Sequence, residues 1–587
     1  MGSSRLRLNP ARKAVPLSQR RAEWAVILLI GGGLLAYANS FAGPFVFDDH
    51  RYIVENPAIR RLRYALLPPP GSDVIGRPVV SLSLALNYAL HGLQVYGYHA
   101  VNVVLHLAAG LLLFGVLRRL FRRSGWEHGA ADWTALTAAA LWLVHPLQTQ
   151  AVSYVIQRSE LLMGFAYLAT LYALARAADA SGPGWRLAAV AACALGMGSK
   201  AVMVTAPVAA LVFDRAYLAG SFRGAWRDRG RLHLALMATW GILAAQAALG
   251  AAPLVNAAAA GPLSAPLEYA ATQAGVILHY LRLAWWPAPL IFDYGWPVVR
   301  SISEGWKSVS VAALVLAAAA WAWRRDPRVG FLGVWFALVL APTSTVFPLP
   351  DAAFEHRMYL PLISPVVGTV LAIRAGLARW RVAASVRTAA AAALAVAALL
   401  ALVTATVRRN AVYQDAVVLW RDTVAHRPQH ARAHHNLGYA LAEAGELTEA
   451  IASYREAIRL QPRFAQAHSS LGGALARRGN ADAEAEAALR EALRIDPSLV
   501  DARGHLGNLR LVQGRFEEAV AEYGAALKAQ PWSTRFHNNL GIALMRLGRQ
   551  DEAMAQFEAA LRVDPSYERA KRNLALVRPG AAQSASP

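Results

Sequence analysis

Two adjacent carboxylates, Asp48 and Asp49, open the chemically richest stretch of the chain, residues 47–57, which closes on Asn56-Pro57. Neighbouring carboxylates raise each other's pKa, which suits a general base or a cation site. One of them could instead cap a short helix that stops before Pro57; the residue types alone divide these two readings evenly. His99, Asn102 and His106 follow at i, i+3 and i+7, along one face of a helix. Such a pair of histidines makes a metal site only where other ligands converge, and polar packing between helices is the simpler reading. His145-Pro146 then leads through Gln150 to Arg158 and Glu160, where Arg158 pairs with Glu160 or meets a phosphate. Lys200 stands in a short turn. Glu355, His356, Arg357 and Tyr359 form the last polar group, and Arg357 there holds a phosphate bidentately or pairs with Glu355. The sequence has no Gly-rich phosphate loop before a helix, no Cys/His zinc spacing and no nucleophile elbow, so soluble nucleotide chemistry is not indicated.

The elements that must carry these residues are apolar. The chain has 587 residues, 56% hydrophobic and 16% charged, where soluble domains carry about a quarter charged residues. That composition excludes a disordered chain, and the single Cys193 excludes a disulfide scaffold. The apolar residues come in blocks of membrane-spanning length. The net charge of +22 belongs mostly to the first 407 residues; from Arg408 onward 24 basic residues face 20 acidic ones. In the first part the basic residues sit in short clusters between apolar blocks, where they set topology, so a nucleic-acid partner is not expected.

Eleven spans are expected, near 24–41, 98–117, 133–144, 161–174, 186–197, 202–218, 232–249, 309–323, 331–347, 359–373 and 388–407. The first reads as a retained span rather than a signal peptide, although Ala36-Tyr37-Ala38 resembles a cleavage site. Segment 268–286 is broken by Thr272, Gln273, His279 and Arg282. Laid along the membrane surface as an amphipathic helix, it leaves every basic cluster on the inner side. The N-terminus is then inside and the C-terminus outside. On that topology Asp48-Asp49, His145, Arg158, Glu160, Lys200, Asp293 and Glu355 to Arg357 all collect at the outer face, as a site open to that side requires.

Beyond the last span, Pro428, Pro462, Pro497, Pro531 and Pro565 recur at intervals of 34, 35, 34 and 34, and Gly438, Gly472, Gly507 and Gly541 keep the same register. A 34-residue period with Leu-Gly early and Pro late resembles the tetratricopeptide repeat (TPR). Each unit is a helix pair that buries its apolar face only by stacking on neighbours, leaving a groove for peptide or protein. The interval of 35 reflects one extra residue near positions 480–484, and 413–427 reads as a preceding half-repeat.

The whole pattern resembles the transmembrane and TPR repeat-containing (TMTC) family of the GT-C membrane glycosyltransferase superfamily, in a bacterial relative. The resemblance rests on Asp48-Asp49 with Asn56-Pro57, Arg77-Pro78, His99 with Asn102 and His106, His145-Pro146, Arg158, Lys200, the segment 280–287, and Arg357 through Tyr359-Leu360-Pro361. It implies an all-α, GT-C-like polytopic bundle followed by a TPR solenoid. The expected organisation is a basic cytoplasmic N-terminus (1–23) and a multi-span transferase domain (24–407) with outer loops at 42–97 and 250–306. A half-repeat and linker (408–430), four repeats (431–567) and a C-terminal cap with a disordered tail (568–587) complete it. The implied activity is transfer of a sugar, with mannose as the family's sugar, from a polyprenyl phosphate to Ser/Thr hydroxyls of envelope or secreted proteins. Asp48 or Asp49 would be the base, and Arg357, Arg158 and Lys200 would meet the donor phosphate. His99, Asn102, His106, His145, Glu160, Glu355 and Tyr359 are further candidates. The lipid-linked sugar is the donor substrate, a divalent metal is the one cofactor to consider, and the other partners are membrane lipid and an acceptor held in the TPR groove. Gln150 departs from the family pattern, which often has an acidic residue there, so no acid or metal role is carried over to it. A non-catalytic membrane scaffold whose repeats recruit an envelope assembly is the alternative. A transporter would need paired internal halves, which the sequence lacks.

Overall fold

The computed structural model describes residues 17–66, 77–179, 182–248, 266–299, 302–344, 349–479 and 482–578. Most of the basic N-terminus, part of the loop 250–306, part of the stretch bearing the extra repeat residue, and most of the C-terminal tail lie outside these. Every regular element among the described residues is helical. The principal helices of the first part are α1 (Leu17–Tyr37), α2 (Pro78–His91), α3 (Val95–Arg123), α4 (His128–Leu143), α5 (Arg158–Asp179), α6 (Gly184–Met197) and α7 (Ala206–Phe213). They continue with α8 (Phe222–Ala238), α9 (Trp240–Ala248), α10 (Pro266–Trp285), α11 (Ile302–Arg325), α12 (Pro327–Leu340), α13 (Ile363–Arg379) and α14 (Ala384–Val412).

Six segments among the described residues are long and apolar enough to cross a membrane: Glu23–Ala42, Val95–Arg123, Val155–Asp179, Ala201–Leu218, Glu304–Arg325 and Ala384–Val412. They coincide with six of the eleven expected spans. Four of the others form helices of only 14 to 17 residues, α4, α6, α12 and α13. The expected span at 232–249 is divided at Thr239, between α8 and α9, where the Thr239 hydroxyl bonds back to the Leu236 carbonyl (2.6 Å). The first span is built into the bundle: the Ala36 carbonyl accepts from Asn410 (3.0 Å), and the Tyr37 ring meets His106 edge-on. Along α11 and α14 large apolar side chains such as Leu314, Trp321, Leu394 and Leu400 stay exposed, as lipid-facing residues do.

α10 is the segment that sequence left between spanning and surface-lying. Three of its polar side chains meet loops at one end of the bundle: Tyr269 with the Thr343 carbonyl, Gln273 with the Ala352 carbonyl and Tyr280 with the Phe354 carbonyl. Its last turn gives the Ala284 carbonyl to His145 at that same end. Its Trp285 also donates to Thr369 within α13 (2.9 Å), and Val276, Tyr280 and Leu283 join the main apolar core, so α10 is seated against the bundle.

After α14 come α15 (Ala416–His426), four antiparallel pairs from Ala431–Glu443 to Gln550–Val563, and a capping helix, Glu568–Val577. The glycine series has a packing cause. A Cβ at Gly438, Gly507 or Gly541 would lie 2.6 to 2.8 Å from the Tyr454, Tyr523 or Phe557 ring, and one at Gly472 would lie 2.6 Å from Leu489. Only glycine lets the paired helix approach so closely. The first repeats share one apolar core with the loops of the membrane part, in which Val46, Ile53, Tyr154 and Phe292 join Trp420, Leu437 and Leu475.

Candidate active site at one end of the bundle

Asp48 and Asp49, adjacent in sequence, have separate environments. Asp49 is fully buried, and its two carboxylate oxygens accept the backbone N–H groups of Ile156 (2.7 Å) and Val46 (3.0 Å). It caps no helix. The cap before Pro57 comes from Asn56, whose Oδ1 accepts the Ala58 N–H (2.9 Å). Asp49 thus staples the first loop to the turn that begins the Val155–Asp179 segment, and burial pushes its carboxyl up to about 8. Phe47, immediately before the pair, is a non-glycine residue at φ +49, wedged against the rings of Phe292 and Trp420. A residue held in that region costs about 1–3 kcal/mol and persists only where its surroundings over-determine it. Asp48 stays partly exposed; its amide donates to the Tyr154 hydroxyl (3.1 Å), which also faces its carboxylate. Burial raises its pKa, with Tyr154 and Arg432 opposing that rise.

Three cations meet near His356. Lys200 forms an ion pair with Glu160, and both are largely buried. Arg77 acts electrostatically on Glu160 and Asp48, and its Nε has no hydrogen-bond partner among the described residues. Burial, followed by the charges of Lys200, Arg357 and Arg77, drives His356 well below the usual imidazole range. These three cations therefore act together on His356, and Arg77 among them also acts on Asp48.

Arg158 is not among them. Fully buried, it donates from Nε to Asn102 (2.9 Å), from Nη2 to the Tyr98 carbonyl (2.9 Å) and from Nη1 to the Ser83 carbonyl (3.3 Å). All three nitrogens are spent on holding α2, α3 and α5 together, so the phosphate reading of Arg158 does not carry forward, nor does its pairing with Glu160. Arg357 is intermediate: its two Nη atoms hold the carbonyls of Ala352 (2.8 Å) and Asp351 (2.5 Å), yet the side chain is only half-buried. Its expected pairing with Glu355 is also absent. Glu355 Oε1 accepts from the Ile291 N–H (2.6 Å) and the Tyr294 hydroxyl (2.9 Å), and burial pushes its carboxyl up to about 7.

The histidine stripe on α3 packs helices. His99 Nε2 meets the Gly43 carbonyl (3.0 Å), and Asn102 donates to the Val152 and Val155 carbonyls. His106 bridges the Tyr359 hydroxyl (2.9 Å) and the Leu143 carbonyl (2.8 Å). His145 accepts the Leu147 N–H at the head of a short turn. Among the described residues no three of His, Cys, Asp and Glu converge as a metal site needs. At Gln150, Oε1 accepts from His356 N (2.9 Å) and Nδ1 (3.0 Å), while Nε2 donates to the Phe292 carbonyl (2.7 Å). An acidic residue lacks that donor, which explains the amide here.

Two contributors had no signal in the sequence. Arg432, in the first repeat helix, forks onto buried Asp293 (2.7 and 2.8 Å) and reaches Asp351 (2.5 Å); His430 joins Asp293 at 3.1 Å. Burial alone would raise the Asp293 carboxyl, but His430 and Arg432 hold it below the usual carboxylate range.

Comparison with known proteins matches residues 75–247 to the family described as dolichyl-phosphate-mannose-protein mannosyltransferase. Residues 438–479 and 506–577 match TPR repeat families. The protein O-mannosyl-transferase TMTC4 of Homo sapiens is 26% identical over 494 residues, covering 73% of this chain and 65% of that protein. The protein O-mannosyl-transferase F38B6.6 of Caenorhabditis elegans is 33% identical over 159 residues, 25% of this chain and 22% of its own length. The chain thus spans less than two thirds of the length of these relatives. Among solved structures, TTC0263, a TPR protein of Thermus thermophilus, covers 27% of this chain and 88% of its own, at 21% identity and a TM-score of 0.26.

Proposed function

We propose that this chain, which is similar to the protein O-mannosyl-transferase TMTC4 over 73% of its length, is an integral-membrane glycosyltransferase moving a sugar, mannose first, from a polyprenyl phosphate to Ser/Thr hydroxyls. The observation that carries the reading is the division between the two carboxylates. Asp49 is consumed by backbone donors, and Asp48 remains available, facing Arg77 of the cation group.

In the proposed reaction Asp48 accepts the proton of the acceptor hydroxyl as its oxygen attacks the anomeric carbon. The bond from that carbon to the phosphate oxygen breaks with inversion. The departing polyprenyl phosphate carries negative charge, which Lys200, Arg77 and the edge of Arg357 stabilise. Arg77 takes the place that the sequence reading gave Arg158. The apolar bundle gives the prenyl chain its path, and the repeats engage the acceptor. The site end of the bundle faces the periplasm of a bacterial inner membrane, with the repeats on that side. A donor carried by a lipid suits a site away from cytoplasmic nucleotide sugars.

The test is incubation of the purified protein with polyprenyl-phosphate mannose, followed by mass analysis of co-purifying proteins. The transferase reading expects hexose adducts on Ser or Thr. A non-catalytic scaffold expects none with this donor or with other polyprenyl-phosphate sugars.

A further inference from the structure

The repeats meet the membrane part through built contacts as well as through the chain that joins them. Arg432 lies on the first helix of the first repeat and grips Asp293 from one loop and Asp351 from another. Asp293 is 1% exposed and Arg432 is half-buried, so the fork is a bidentate pair on a buried carboxylate rather than a contact between two surface groups. The same guanidinium lies over the Phe47 ring, 6.0 Å from its centroid, one residue from Asp48. Trp420 of α15 packs edge-on against both Phe47 and Phe292, and the His50 ring meets Tyr439 of the first repeat. The loop bearing Asp48 is therefore held on one side by the Asp49 staple and on the other by the repeats.

Resting on the transferase reading, we propose that Arg432 is a positioning residue of the transfer site: by locking two loops beside Phe47 it sets the place of Asp48, so the first repeat governs turnover as well as acceptor capture. A repeat array that only collected acceptors would need no buried fork into the loops around the base. Arg432 also supplies positive charge facing Asp48. The other groups that face Asp48 are Tyr154, Asp351, Arg51, Asp49 and Arg77. Removing one cation from this set raises the Asp48 pKa, so a rate that needs its ionised form loses its acid limb at a higher pH.

The experiment compares the full chain with Arg432→Gln, Arg432→Lys and the double variant Arg432→Gln/Asp293→Asn, which leaves no unpaired buried carboxylate if the single change impairs folding. Transfer from polyprenyl-phosphate mannose to a synthetic Ser/Thr-rich peptide is followed across pH, with hydrogen exchange of residues 43–56 and 286–299 measured alongside. The expected result for Arg432→Gln is a kcat lower by about tenfold or more, an acceptor KM changed by less than about threefold, and an acid limb moved to higher pH. Faster exchange in both loops accompanies it, and the double variant behaves alike. Arg432→Lys restores the acid limb, because charge returns, but not kcat, because the fork does not. Unchanged loop exchange in the variants overturns the proposal even in the absence of measurable transfer. A loss confined to KM overturns it as well. Wild-type protein that transfers no sugar, while its variants show the faster exchange, sinks the transferase reading and leaves Arg432 a structural clamp only, which likewise overturns its role in turnover.

Discussion

Replacing each of the two adjacent carboxylates in turn separates catalysis from architecture. Asp49→Ala leaves the N–H groups of Val46 and Ile156 buried without an acceptor. Each orphaned donor costs about 1–3 kcal/mol, so the substitution destabilises by roughly 2–6 kcal/mol. Asp49→Asn keeps one acceptor and turns an NH2 group toward the other donor, so it costs roughly half as much. Asp48→Asn conserves size and leaves the backbone bond to Tyr154 in place, so stability moves by less than about 1 kcal/mol. Loss of a general base lowers the rate by about 10²–10⁴-fold. The assay is thermal unfolding of detergent-purified protein alongside transfer from polyprenyl-phosphate mannose, with each variant tested for membrane insertion. The expected pattern is crossed: Asp48→Asn folded and inactive, Asp49→Asn less stable with transfer retained in the fraction that stays folded. Near wild-type transfer by Asp48→Asn would refute the assignment of the base. A stable but inactive Asp49→Asn would reverse the two roles.

Gln150→Glu removes the donor to the Phe292 carbonyl and sets a carboxylate oxygen against it, at an expected cost of about 1–3 kcal/mol in thermal unfolding; a stabilised variant that needs a divalent ion for activity would contradict the neutral-staple account. Lys200→Met strands Glu160 in a buried site, where breaking such a pair costs about 3–5 kcal/mol. The double change Lys200→Met/Glu160→Gln recovers most of that stability without recovering transfer, and full recovery of transfer would remove Lys200 from the phosphate site. Burial lifts Glu355 from its ordinary 4.5 to about 7, so the folded chain holds this proton more tightly than the unfolded one. The associated stability is full below about 4.5 and is lost as pH rises through about 7. Unfolding temperatures of Glu355→Gln should therefore fall less between pH ~5 and pH ~8 than those of the wild type, and equal slopes would show that Glu355 does not titrate as described. A reporter fused after Asn410 is expected on the outer face and one after Arg328 on the inner face; the same side for both would overturn the topology.

Periodicity carried much of this protein's organisation. The long apolar blocks and the 34-residue register identified a helical membrane part followed by four repeats, because both depend on local spacing that a linear reading detects. The Pro and Leu-Gly series marked each repeat, since every unit solves the same packing problem at its own glycine. Span length was less legible: one expected span is divided at Thr239, and four others close after 14 to 17 residues. Site membership was legible only as a shortlist. Residue type marked Asp48, Asp49, Arg158 and Arg357 alike as groups able to do chemistry, yet partners brought in by the fold decided their fates. Ile156 closes on Asp49 across more than a hundred residues, Asn102 and two carbonyls consume Arg158, and Arg432 arrives from the repeats to clamp Asp293. A charged side chain is available for chemistry only when no buried donor or acceptor has claimed it, and that claim depends on distances in space that sequence neighbours do not report.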